Sequence, residues 1–77
     1  MRMRFTKAEK AAFTIGADIE WRHGRYWYPG VITKPIVRAT DTGWDECGIR
    51  NLGPTTATVS HGAYITGTPG AVRTPQS

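Results

Sequence analysis

Between Ala17 and Val37 the chain carries the pattern of a β-hairpin, which constrains the fold more than any other segment. Ala17, Ile19 and Trp21 alternate with Asp18, Glu20 and Arg22, the two-residue period of a strand with one face buried. His23-Gly24 then supplies a tight turn, glycine tolerating positive φ. A second strand is expected over Tyr26 to Val37, long and bent. In it Gly30 allows a bulge or a close backbone approach, while Pro29 and Pro35 require positions that donate nothing to a ladder. The chain has three Trp, three Tyr and two Phe, and four of these, Trp21, Tyr26, Trp27 and Tyr28, crowd around this one turn.

The remaining sequence continues in short strands. Ala39 to Gly43 reads as a polar loop, Trp44 to Leu52 as a third strand and Gly53-Pro54 as a turn. The alternating Thr and Val of Thr55 to Ser60 suit a fourth strand. After a His61-Gly62 turn, Ala63 to Thr66 suits a fifth short strand or a one-turn connection leading into it. Near the start, Thr6-Lys7-Ala8-Glu9 has the spacing of a capping box, which predicts one or two helical turns over Lys7 to Phe13, with Gly16 beyond their end. Short strands separated by Gly and Pro turns define the expected fold class as mainly β, a small five-stranded barrel with a short N-terminal helix. The expected organisation is a basic arm with its helix over residues 1–14, a barrel over 15–67 and a flexible C-terminal tail over 68–77.

At 77 residues there is room for one domain and a small core. Cys47 is the single cysteine, so no internal disulfide is possible, and a lone thiol suits a reducing, cytoplasmic setting. Two histidines and one cysteine, widely spaced, do not make a structural zinc site, and neither a metal nor a cofactor is expected. No apolar run approaches the roughly 20 residues that cross a bilayer, and Met1-Arg2-Met3-Arg4 lacks the apolar stretch of a signal peptide. The formal charge is +4, and it is uneven. Arg2, Arg4, Lys7 and Lys10 stand against Glu9 alone, whereas the body beyond residue 14 is nearly balanced. Such an arm is suited to nucleic acid or another acidic surface, and equally to simple solvation.

The order Ile19-Glu20-Trp21, glycine turn, Tyr26-Trp27-Tyr28-Pro29-Gly30-Val31-Ile32 resembles the opening hairpin of Tudor-like domains in the SH3-like barrel group. Glu46 to Gly53 resembles their third strand and following turn, and the resemblance spans residues 15–67. It implies an SH3-like barrel and, in the eukaryotic members, an aromatic cage that holds a methylated cation by the cation–π effect. Trp21 and Tyr28 match the two cage aromatics of the first hairpin. The other half of the cage falls on Arg50 and Leu52, where the family commonly has aromatics, and Arg50 would repel a cationic ligand.

Catalysis finds little support in the residue pattern. Ser60-His61 and Asp45-Glu46 are sequence neighbours whose side chains diverge along a strand. Cys47 lies inside an apolar strand, the usual setting of an inert thiol. Gly67-Thr68-Pro69-Gly70 lacks the Lys-Ser/Thr ending of a phosphate loop. The expected function is a non-catalytic binding module that contacts nucleic acid. The contacts would come from the arm (Arg2, Arg4, Lys7, Lys10) and from an aromatic–arginine face of Trp21, Arg22, Arg25, Trp27, Tyr28 and Arg50. The alternative is a protein-interaction adaptor gripping a peptide or a larger complex with the same face or an edge strand.

Overall fold

A computed structural model describes residues 2–76, in the order α1 (Lys7–Ala12), β1 (Asp18–His23), β2 (Tyr26–Arg38), β3 (Asp45–Asn51), β4 (Tyr64–Gly67) and β5 (Val72–Arg73). Met1 and Ser77, the outermost positions of the expected arm and tail, lie outside the described residues.

The helix begins where the capping box places it. The Glu9 N–H donates to the Thr6 hydroxyl at 3.1 Å, and the Thr6 N–H donates to the Glu9 carboxylate at 2.8 Å. Burial raises the Glu9 pKa, but bonds from the Arg2 guanidinium and from Thr6 outweigh it and hold the carboxyl below its usual range. Six residues are too few to persist as a helix alone, and tertiary contacts anchor them. Phe5 and Phe13, one on each side of α1, are both buried and meet edge to face at 5.7 Å. Thr6→Ala is expected to cost about 1 kcal/mol, read as a lowered urea midpoint at unchanged slope. A change indistinguishable from zero would mean that the cap is not retained in solution.

The five strands form one antiparallel sheet in the order β4-β3-β2-β1-β5, compatible with an SH3-like fold. The sheet is not closed by a ladder. β4 and β5 are its outer strands, so the expected barrel stands only as a five-stranded, mainly β architecture. The β1–β2 connection is two residues, Gly24 and Arg25. Gly24 alone has positive φ, +63°, the II′ pattern in which glycine comes first. β2 bends through register shifts between Ile32 and Val37, around Pro35. At Gly30 the reason for glycine is proximity, since a Cβ there would lie 2.9 Å from Ile49 Cγ2.

One sheet face is the core. Ile19 and Trp21 of β1, Ile32 of β2, Cys47 and Ile49 of β3 and Val72 of β5 are buried together with Phe5 and Phe13. Two segments differ from expectation. Thr55 to Ser60 is a loop, not a strand, because its hydroxyls satisfy the backbone locally. Thr56 Oγ1 accepts from the N–H groups of Thr58 and Val59, and Thr55 Oγ1 from that of His61. Within the expected flexible tail, Val72 and Arg73 instead pair with Trp21 and Glu20 as β5. Val72 belongs to the core, which is what holds the segment down.

Candidate functional site: an arginine-clad sheet face

Strand register sorts the expected site residues onto two faces. In antiparallel strands, directly paired residues share a face. Trp21 pairs with Tyr28, and Arg22 with Trp27. The first pair lies on the core face. Trp21 is 5% exposed, and its Nε1–H donates to the Asn51 side-chain carbonyl at 3.3 Å. Tyr28 is half-buried, with its ring 5.5 Å from that of Trp21. His23 completes the cluster, 5.7 Å from Trp21, and its Nε2 shares a 2.9 Å hydrogen bond with the Thr58 hydroxyl. Trp21 and Tyr28 are therefore packed beneath the 52–62 loop, apart from the arginines with which they were grouped.

The second pair lies on the outer face, where the arginines collect. The Arg73 guanidinium carbon sits 4.1 Å from the Trp27 ring centroid, and that of Arg22 sits 5.7 Å from the same ring. Glu20, opposite Arg73 in the β1–β5 ladder, accepts from Arg73 Nε at 2.7 Å and fixes its orientation. Val31 pairs with Arg50, and Arg50 with Tyr64, so the same face continues across β3 to β4. There the Arg50 guanidinium lies 5.8 Å from the Tyr64 ring. Lys34, opposite Gly48, adds a fourth cation, against the carboxylates of Asp18, Glu20 and Glu46. Arg25 occupies the hairpin turn, outside both clusters.

Stacking does not consume a guanidinium's hydrogen-bonding capacity, because its N–H groups lie in the plane of the group and remain available to an anion. Arg22 and Arg50 join no ion pair among the described residues, and Arg73 uses only Nε. The face is thus a set of cations whose freedom has been reduced in advance by two rings.

The arm is folded against the sheet. The Asp45 N–H donates to the Met3 carbonyl at 2.9 Å, and the Phe5 N–H donates to the buried Asp45 carboxylate at 3.1 Å. Its charges are largely occupied. Arg2 pairs with Glu9, Lys10 lies 3.8 Å from Asp45, and Arg4 Nη1 donates to the Gly43 carbonyl at 2.6 Å. Lys7 joins no ion pair among the described residues. Arg2 also reaches the outer face, since it lines a groove of about 370 Å³ with Arg22, Trp44 and the turn from Thr68 to Ala71.

Burial pushes the Cys47 thiol up to about 11, with Glu46 adding to the effect. It is protonated at neutral pH and unsuited to nucleophilic attack. Arg73, Tyr64 and Lys34 are the face residues that sequence reasoning missed. Tyr64 was legible as a strand aromatic, but its neighbour Arg50 depended on a register no local pattern reveals. No helix among the described residues is long and apolar enough to cross a membrane. Comparison with family models, curated proteins and solved structures found no match to this chain.

Proposed function

We propose that this domain is a non-catalytic nucleic-acid-binding module of SH3-like, Tudor-type architecture, acting in the cytoplasm. The reading rests on one observation, that Arg22, Arg73 and Arg50 lie against Trp27 and Tyr64 on a single sheet face. A guanidinium already laid on a ring gives up less rotamer freedom when it meets a phosphate. Its in-plane fork suits two phosphate oxygens at once. The groove that Arg22 shares with Trp44 extends this surface toward the N-terminal segment, where Arg2 is paired with Glu9. A free, buried Cys47 is at home in a reducing compartment. Contacts of this kind give affinity for the backbone with little base preference.

The test is a fluorescence titration with labelled single- and double-stranded oligonucleotides across salt. Three or four phosphate contacts predict a loss of about 40- to 150-fold in duplex affinity between about 50 and 200 mM salt. Arg22→Ala combined with Arg50→Ala should lower the salt slope by about two. No binding at the lowest salt, or a slope the double variant leaves untouched, rejects the reading.

A further inference from the structure

The sheet's edges are protected unequally. β5 is two residues long and runs toward Pro75. The part of β2 beyond β1 carries Lys34, Pro35 and Arg38 as well as two register shifts. Short length, charge, proline and bulges are the devices that stop an edge from pairing with another chain. β4, with sequence Tyr64-Ile65-Thr66-Gly67, is twice as long as β5 and has no charge, proline or register shift within it.

The hydrogen-bond phase shows which groups this edge leaves open. The Asn51 N–H donates to the Ala63 carbonyl at 2.8 Å and its carbonyl accepts from the Gly62 N–H at 2.7 Å, so Asn51 is a bonded position facing a glycine bulge at Gly62–Ala63. Bonded and non-bonded pairs alternate along an antiparallel ladder. Ile49/Ile65 and Cys47/Gly67 therefore carry the β3–β4 bonds, and Tyr64 and Thr66 turn their N–H and C=O groups away from β3.

The surroundings specify what fits. On the outer face, a groove of about 530 Å³ runs beside the edge between Lys34, Tyr64 and Thr66, with Thr33 and side-chain-free Gly48 also lining it. No carboxylate lines it; along β3, Arg50 stands next on one side of Gly48 and Glu46 on the other, in an adjoining groove that Lys34 and Thr66 also line. On the core face, Ile65 is half-buried at the rim of the apolar cluster. A strand laid along β4 would send alternate side chains to these two surfaces, one beside cations and the other beside isoleucine.

We propose that the β4 edge accepts an extended peptide of alternating acidic and apolar residues as a sixth strand. Its backbone would pair with Tyr64 and Thr66, its carboxylates would face Lys34 and Arg50, and its apolar side chains would extend the core past Ile65. A second copy of this chain fits less well, because it would bring its own Lys34 and Arg50 to the same seam on a molecule of charge +4. The edge shares Arg50 and Tyr64 with the arginine face, so the test turns on Thr66, which has no part in the nucleic-acid reading.

The test uses fluorescence anisotropy with end-capped, labelled Glu-Val-Glu-Val-Glu-Val against Glu-Glu-Glu-Val-Val-Val, which has the same charge and composition. The alternating peptide should bind at least about tenfold more tightly. N-methylation of alternate amides on one peptide edge should remove binding to the unaltered protein. Thr66→Pro should weaken the peptide about tenfold while oligonucleotide titrations stay at wild type. Lys34→Glu should transfer preference to Lys-Val-Lys-Val-Lys-Val. Equal affinity for the two acidic peptides overturns the proposal, as does binding that survives N-methylation of both edges, each tested in turn. Sedimentation showing a dimer that the peptide does not dissociate also overturns it. Failure of the oligonucleotide titration alone leaves this result standing and rejects only the nucleic-acid reading.

Discussion

Replacing Phe5 and Phe13 together with alanine is expected to leave the chain unfolded at room temperature. Both rings are buried and touch each other, so together they join the N-terminal segment to the sheet. Truncating a buried Phe costs about 3–5 kcal/mol. A domain of this length has about 4–12 kcal/mol in total at typical values per residue. Even with incomplete additivity between contacting rings, the double loss consumes most of that margin. Far-UV circular dichroism and a proton spectrum without dispersed methyl signals would record the outcome. A cooperative melt within a few degrees of wild type would show that the segment is not part of the core. The same reasoning changes how the basic residues should be probed. Deleting residues 1–14 would remove core along with charge, whereas changing Arg2, Arg4, Lys7 and Lys10 to glutamine alters charge and spares both rings.

Asn51→Ala is expected to destabilise the protein by about 3–5 kcal/mol through the hydrogen bonds it strands. Asn51 is 0% exposed. Its carbonyl accepts from Trp21 Nε1–H at 3.3 Å and from the Gly53 N–H at 2.8 Å, and its amide donates to the Ser60 carbonyl at 3.1 Å. Each buried group left without a partner costs about 1–3 kcal/mol. The alanine variant strands two, the Trp21 Nε1–H and the Gly53 N–H, and releases the carbonyls of Ser60 and Pro54 on the exposed loop. Because Gly53 and Ser60 sit at the two ends of the loop over Trp21 and Tyr28, the loop should loosen first. Urea denaturation gives the magnitude, and the Trp21 indole proton, shifted and exchanging faster, gives the location. A loss below about 1 kcal/mol would mean that water replaces the side chain without penalty.

Legibility followed the distance over which each determinant acts. The Thr6–Glu9 box and the Gly24 turn are decided by residues within four positions of each other, and both are found as the sequence predicts. The alternation of Ala17 to Arg22 likewise gave β1 to within a residue. Thr55 to Ser60 misled because Thr and Val alternate there as they would in a strand, while the hydroxyls and Asn51 offer the backbone a local substitute for a ladder. β5 was unreadable for the opposite reason. Two residues have no period, and Val72 and Arg73 become a strand only through Trp21 and Glu20. Of the expected site, Arg22, Trp27 and Arg50 share one face, and Trp21 and Tyr28 the other. Parity separated Tyr26 and Tyr28 from Trp27 in advance, but the partners that complete the arginine face lay on strands whose registers were unknown.

The Trp21–Val72 pairing also bears on how the molecule reaches its native state. Neighbouring hairpins can zip from their turns, but this ladder must bring together positions about fifty residues apart, and the chain entropy lost in that encounter is not recovered until the pairing is made. Pairings of such span favour slower folding than in proteins whose neighbours are all close in sequence, and here that burden rests on the two residue pairs that hold the last strand.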